Sequence, residues 1–328
     1  MDTDQSEICL KAQIPLDMEG GRLDQVSAAL FDAYSRTRLQ KWIRDSALLI
    51  DGSPGGIRDK VLGGQWLTLN VVLEAEGEWQ AQPVPFDIVF EDDSIIVVNK
   101  AAGLVVHPGA GNTDNTLLNG LLYHCEQLIS VPRAGIVHRL DKDTTGLMVV
   151  AKTLDAHHAL VSQLKERTVK RLYQALVLGV MTSGGSVDAP IGRHPTNRTR
   201  MAVLRPGRET SGRYREAVSH YRVLKRFSTH THVEVALETG RTHQIRVHMA
   251  HLGYPLVGDA TYGGRLRLPK GLSESLAEHI RTFPRQALHA VGLSFIHPVS
   301  KALVEWHAPL PQDMQDLLAA LREEPSID

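Results

Sequence analysis

The 328-residue sequence predicts an α+β protein: a large domain with a mixed or antiparallel central sheet and flanking helices, preceded by a small α/β module. Three observations lead there. Apolar residues make up 42% of the chain, enough to fill a proper core. Over the larger, later part, strand-like runs outnumber helical ones and do not alternate as regular β-α-β units. A stretch at 74–85 (EAEGEWQAQPVP) is acidic, bounded by proline and aperiodic, which marks a linker. The expected division is therefore a module at 20–73, a linker at 74–85 and a large domain at 86–322, with a frayed tail beyond.

In the module, Leu23, Val26, Leu30 and Ala33 form one stripe of an amphipathic helix over 22–34. Ser35 is placed to cap a second helix. Its Leu39, Trp42 and Ile43 make an apolar face, and Arg36, Arg38, Lys41 and Arg44 leave the other face basic. Strands follow at 47–50 and 65–72, punctuated by turns at Asp51-Gly52 and Gly63-Gly64. So small a unit is marginal as an independent core but adequate for docking. The large domain carries strand signals at 94–99, 147–151, 172–178 and 231–237, and helical patterns at 155–167 and 242–252. In the last helix Thr242 is read as the cap, Ile245, Met249 and Leu252 as the buried stripe and Gly253 as the stop.

Composition excludes several classes. The 22% charged residues and the lack of any biased tract argue against disorder, collagen or coiled coil. No apolar run nears the ~18–20 residues of a membrane span, and the opening MDTDQSEICL is acidic where a secretory signal is basic; a cytoplasmic protein is expected. Cys9 and Cys125 form neither a disulfide framework nor a zinc knuckle. The net charge of −1 conceals an asymmetry: residues 1–80 carry 8 Lys/Arg against 13 Asp/Glu, whereas 162–226 carry 14 against 4, a local +10. That segment is either a solvated basic face or the footprint of a polyanion, most simply nucleic acid.

Pro108-Gly109-Ala110-Gly111-Asn112-Thr113 follows a strand but lacks the Gly-Lys-Ser/Thr of a phosphate loop and the third glycine of a dinucleotide turn, so it reads as a tight turn. His243, His248 and His251 have no carboxylate or cysteine at a supporting spacing, and no metal site is read there. The run His138-Arg139-Leu140-Asp141-Lys142-Asp143-Thr144-Thr145-Gly146 crowds charged groups between an apolar lead-in and a strand. It opens like a calcium loop, yet Lys152 stands where that loop needs a bidentate glutamate. An aspartyl phosphotransferase would need a later acidic pair, and Gly258-Asp259 offers one carboxylate. What remains is a carboxylate kept ionised by neighbouring cations and able to act as a nucleophile. A second cluster, Glu238-Thr-Gly240-Arg241-Thr242-His243-Gln244-Ile245-Arg246-Val247-His248, carries two arginines suited to bidentate binding of either a phosphate or a carboxylate. Lys170-Arg171-Leu172-Tyr173 is a stacking platform if exposed and plain core if not.

These strings, with Ile191-Gly192-Arg193-His194-Pro195, Pro255-Leu256-Val257-Gly258-Asp259, Tyr262-Gly263-Gly264 and Pro284-Arg285-Gln286-Ala287-Leu288-His289-Ala290, resemble in order the RluA family of pseudouridine synthases, in the branch acting on large-subunit (23S) ribosomal RNA. Gly21-Arg22-Leu23-Asp24 and Ser35-Arg36-x-Arg38-Leu39-x-x-Trp42-Ile43 resemble an S4 RNA-binding domain, although Asp45-Ser46-Ala47 stands where that domain commonly has a glycine-bearing turn. The resemblance implies that Asp141 is the nucleophile, Arg246 its ion-pair partner, Tyr173 the ring stacking on the target base and Arg139 a group holding that base flipped out. It implies RNA contacts from His138, Lys170, Arg171, Arg193, His194, Arg241, His243 and Gln244, and from Arg36, Arg38 and Lys41 of the module. The implied activity is isomerisation of uridines to pseudouridine in 23S rRNA, in a loop at the subunit interface, in support of ribosome assembly. It needs no cofactor and no metal. The implied partner is 23S rRNA or the pre-ribosomal large subunit, met by a monomer away from membranes; Asp141 attack at C1′, attack at C6 and a glycal route all stay open. The competing reading is an RNA-binding ribosome-assembly factor with little catalytic role. Arg205–Arg215 runs longer than the family pattern and is expected to form an additional RNA-facing loop.

Overall fold

The computed structural model describes residues 7–31, 34, 36–72, 79–109, 111–197, 199–204, 214–264, 268 and 272–324. The chain divides into two compact units, Met1–Gly77 and Glu78–Asp328.

The first unit begins with β1 (Glu7–Gln13), continues through α1 (Leu23–Leu30) and α2 (Arg36–Arg44), and closes with β2 (Leu48–Ile50), β3 (Ser53–Pro54) and β4 (Trp66–Val72). The strands form an antiparallel sheet in the order β1-β4-β2-β3. β1 pairs with β4 from Glu7↔Val72 to Gln13↔Trp66, so the sheet starts upstream of residue 20. Leu23, Val26, Leu39, Trp42 and Ile43 pack on Leu48, Leu67 and Leu69, the apolar faces the periodicity predicts. The first helix stops at Leu30, short of the expected 22–34, and Ala33 and Ser35 lie outside the described residues.

The second unit contains, in order, β5 (Asp87–Glu91), β6 (Ile95–Lys100), α3 (Leu117–His124), β7 (Thr145–Ala151), α4 (Leu154–Lys165), β8 (Lys170–Leu178), β9 (Gly185–Asp188), β10 (Ile191–Arg193), β11 (Met201–Val203) and β12 (Tyr214–Arg215). β13 (Val218–Arg226), β14 (His230–Leu237), α5 (Gln244–His251), α6 (Glu274–Thr282), β15 (Leu288–Ile296), β16 (Leu303–His307) and α7 (Gln312–Glu323) complete it. A nine-stranded sheet runs β5-β6-β7-β15-β8-β14-β13-β9, with β16 on β15. Its pairings are antiparallel except β7 with β15, which makes it the mixed sheet expected. The parallel pair sets Gly146 against Ala290 so closely that a Cβ would stand 2.3 Å from the Ala290 carbonyl oxygen. Only glycine fits there.

Alternation explains why the central strands read as unbroken apolar runs. Ile96, Val98, Met148 and Val150 face a core shared with α3 and α5, while Ile95, Val97, Leu147 and Val149 face one shared with α4. Pro108–Thr113 closes as a turn through paired bonds between Gly109 and Asn112. Of the expected linker, residues 73–78 lie outside the described residues, and 79–85 is docked: the Asn119 amide donates to Gln80 O (2.8 Å) and the Gln82 N–H to Asn119 O (3.1 Å). A smaller sheet, β11-β10-β12, stands apart. The expected RNA-facing loop spans 205–213, outside the described residues, and β12.

Candidate active site

The turn before β7 is pinned by three side chains, those of Lys100, Arg285 and Gln286. Lys100, wholly buried at the end of β6, donates to the carbonyls of Ala101 (2.7 Å), Leu104 (2.9 Å) and Lys142 (2.8 Å). Arg285 donates to Asp143 O (3.2 Å) while Asp313 of α7 receives its other nitrogens at 2.7 and 2.8 Å. Gln286 donates to the Thr144 hydroxyl at 3.0 Å. Burial, opposed in part by Asp143 and Asp141, pulls the Lys100 ammonium down to about 7, and its three carbonyls match the three N–H bonds of the charged form. The Asp141 side chain is left partly open.

Arg246 reaches it from α5. Its Nε and one terminal nitrogen grip Asp259 at 2.7 and 2.9 Å, and the other donates to Asp141 Oδ2 at 3.0 Å. Asp259 is buried and also accepts the N–H groups of Thr261 (2.9 Å) and Tyr262 (3.0 Å). Burial alone would raise its carboxyl; the bonds from Arg246 and these amides outweigh that and hold it below the usual carboxylate range. Behind Arg246, the Tyr262 ring lies 5.1 Å from the guanidinium carbon. The Tyr262 hydroxyl accepts the Met201 N–H at 2.9 Å and is paired with His243 Nδ1 at 2.7 Å, a bond the hydroxyl donates in the tautomer whose Nδ1 is unprotonated. That tautomer carries its proton on Nε2, 3.9 Å from Asp141 Oδ1. Burial, opposed by Asp141, keeps the His243 imidazole below its ordinary value, hence neutral.

Asp141 opens into a cleft of about 400 Å3. Arg133, Arg139, Lys165, Arg171, Arg241 and Arg246 line it, against one carboxylate, Asp141. Tyr173, 5% exposed, forms part of the lining while packing into the core, so it is both core and cleft wall. Strand alternation puts Arg171 on the same side of β8. Lys170 points the other way, exposed and outside the cleft.

The cleft therefore gathers Asp141, Arg246, Tyr173, Arg139, His138, Arg171, Arg241, His243 and Gln244 of the residues read from sequence. Several do structural work. Gln244 accepts from Thr239 and Arg241 and donates to Val218 O and Ser219 Oγ, which occupies its amide within the protein. His138 Nε2 accepts the Val149 N–H at 3.2 Å, and burial beside Arg171 pushes the ring down to about 3. His194 Nδ1 accepts the N–H groups of Thr196 and Asn197 in a turn outside the cleft; Arg193 also lies outside it. His248, fully buried, spends both ring nitrogens on Ser219 and Ala189, and among the described residues no group of three or more His, Cys, Asp or Glu could hold a metal. In the first unit Arg36 is bound to the buried Asp24 at 2.6 Å; Lys41 is exposed, and the Arg38 side chain lies outside the described residues. Thr242 is not the cap: α5 starts after His243, whose backbone is left-handed (φ 57°). Gly253 does end that helix, with Tyr254 N–H bonded to Met249 O.

Sequence reasoning gave no role to Lys100, Tyr262 or Arg285. Lys100 had one signal, a lysine closing an apolar strand. Asp259 is legible in the sequence only as a lone carboxylate.

A cationic cleft that sets an arginine-paired carboxylate beside an aromatic ring is the arrangement of an enzyme that acts on a polyanion. The family model described as RNA pseudouridylate synthase matches residues 94–251. The chain is 56% identical over 313 residues to ribosomal large subunit pseudouridine synthase D of Pseudomonas aeruginosa, covering 95% of this chain and 96% of that one. It is 52% identical over 314 residues to the protein of that name from Escherichia coli K12, covering 95% and 94%. Among solved structures it resembles human RNA pseudouridylate synthase domain containing 4, with a TM-score of 0.56 and 29% identity over 72% of this chain and 93% of that one. The chain belongs to the RNA pseudouridylate synthase family, and it is an RNA-modifying isomerase.

Proposed function

We propose that the chain converts uridines to pseudouridine in large-subunit (23S) ribosomal RNA with Asp141 as the nucleophile. The observation that carries this reading is the Asp141 carboxylate, paired at 3.0 Å with Arg246 and open to a cleft whose arginine and lysine side chains outnumber its one carboxylate. Isomerisation breaks the N1–C1′ bond, turns the base and rejoins it through C5. A carboxylate set in such a cleft suits that chemistry, whether it adds at C1′, adds at C6 or assists a glycal. Tyr173 would stack on the base and Arg139 would hold it out of its helix, at an unstacking cost of about a few kcal/mol that favours loop uridines. The names of the bacterial relatives, ribosomal large subunit pseudouridine synthase D, support the choice of RNA.

The first unit, with two helices on an antiparallel sheet, would serve as an S4-like docking module, and a monomer working in the cytoplasm on rRNA or the assembling subunit completes the reading. No helix among the described residues is long and apolar enough to cross a membrane. The test is tritium release from large-subunit rRNA transcript labelled at uridine C5, in excess EDTA. Wild type releases tritium, and Asp141→Asn falls more than about a thousandfold while still binding RNA. No release from wild type, on transcript and on assembling subunits alike, would overturn the proposal in favour of an assembly factor.

A further inference from the structure

We propose that Arg171 is the receptor for one backbone phosphate beside the flipped nucleotide, held ready in the cleft before RNA arrives. The inference deepens the reading above and rests on it. Arg171 is 8% exposed, yet its buried Nε has no hydrogen-bond partner and, among the described residues, no carboxylate pairs with it. A guanidinium cannot shed its charge, and a buried charge without a counter-ion is costly enough that folded chains avoid it. The other buried arginines of this unit show what structural use looks like: Arg246 grips Asp259, and Arg285 grips Asp313. Arg171 lines the cleft without an ion-pair partner among the described residues, which leaves an incoming anion as the missing one.

The surroundings select a phosphate over the base. Arg171 shares its side of β8 with Tyr173, so it lies one strand repeat from the ring proposed to stack on the uracil. On its other side it adjoins Arg241, whose own charge is disfavoured first by burial and then by Arg215, Arg167 and Arg171. A convergence of arginines matches a diester carrying a full negative charge and suits the planar, bidentate geometry of a guanidinium. The chain makes room for it at Gly240, where a Cβ would stand 2.6 Å from an Arg171 terminal nitrogen. An alanine there would drive the guanidinium from its place without disturbing the strand that carries it.

Phosphate-ethylation interference on a large-subunit rRNA transcript tests this, because ethylation removes one phosphate charge at a time and binding selects the tolerated positions. Wild type should exclude ethyl groups at several phosphates around the modified uridine. Arg171→Met and Gly240→Ala should both lose the same single exclusion, keep the others and bind about ten- to a hundredfold more weakly. The thermal midpoint of Arg171→Met should be unchanged or higher, since an unpaired buried charge is gone. An interference pattern identical to wild type overturns the proposal. So does a lowered midpoint with unchanged affinity, the mark of a structural role, and so does loss of kcat alone, which would place Arg171 on the base. Tritium release by wild type reports separately on the parent reading.

Discussion

Arg246 answers to two carboxylates of different character. Asp259, fully buried, takes two of its nitrogens and two backbone amides, whereas Asp141, partly exposed, takes one nitrogen. The buried pair fixes where the guanidinium sits, and the remaining N–H then holds Asp141 in one rotamer. Asp259 is thus a positioning residue. Asp259→Ala frees Arg246 to collapse onto Asp141 or swing away, and a misplacement of about 1 Å at a reacting group costs roughly a hundredfold. Single-turnover tritium release should fall by about that factor while RNA affinity holds, because Asp259 does not line the cleft. Equal losses in affinity and turnover would show instead that the whole cleft had been lost. In the first unit Asp24 plays a comparable part, binding Arg22, Arg36 and Gln40 and thereby tying α1 to α2. Asp24→Ala removes the acceptor that joins the two helices and should lower the urea midpoint of that unit, by less than loss of a fully buried pair would because Arg22 and Arg36 reach solvent.

The end of α2 shows an element closing on an imperfect residue. Ala47 N–H bonds to Trp42 O and Ser46 N–H to Ile43 O, the paired bonds of a left-handed helix stop, and Ser46 has a φ of 56°. The left-handed region costs a non-glycine residue about 1 kcal/mol or more. Ser46→Gly should therefore stabilise the first unit by about 1 kcal/mol and slow hydrogen exchange of the α2 amides about fivefold; unchanged exchange would mean that the turn does not limit opening. This turn was legible in the sequence only as a departure from a glycine pattern. The long central strands and α4 were legible because both faces are covered, or one apolar face repeats, over enough residues to register. β5 was not, since its five residues are exposed and edge strands carry little alternation. At the site, a crowded motif pointed to Asp141 as a reactive carboxylate, while the expected roles of Arg246 and Tyr173 came from the family resemblance. Lys100 reaches Lys142, Asp259 reaches back to Arg246 and Tyr262 joins Met201 to His243 across element boundaries, and no helix or strand periodicity encodes those contacts.

Across the whole molecule, the buried histidines set an acid limit on stability. Among the described residues His107, His157, His230, His232 and His289 are pushed by burial down to about 4, and His138 to about 3. From about one pH unit above 6.5 these rings are neutral in both states and contribute no pH dependence. As pH falls from about 6.5 toward 4, the unfolded chain takes up protons that the folded chain refuses, so stability falls with pH across that window. Each ring contributes a slope of about 1.4 kcal/mol per pH unit, and six near pH 5 approach roughly 8, comparable to the whole stability of a typical domain. The second unit should therefore unfold on mild acidification, with a midpoint above pH 4, taking up about six protons. His230 is the ring to probe, since it is 1% exposed and its Nε2 has no partner. His230→Phe should remove one proton from the uptake and flatten the fall of the urea midpoint between pH 6 and 4.5 by about a sixth. A urea midpoint that stays level across that range in wild type would mean that these imidazoles accept protons in the folded state, through openings in a core that the packing of β8, β14 and β15 otherwise keeps dry.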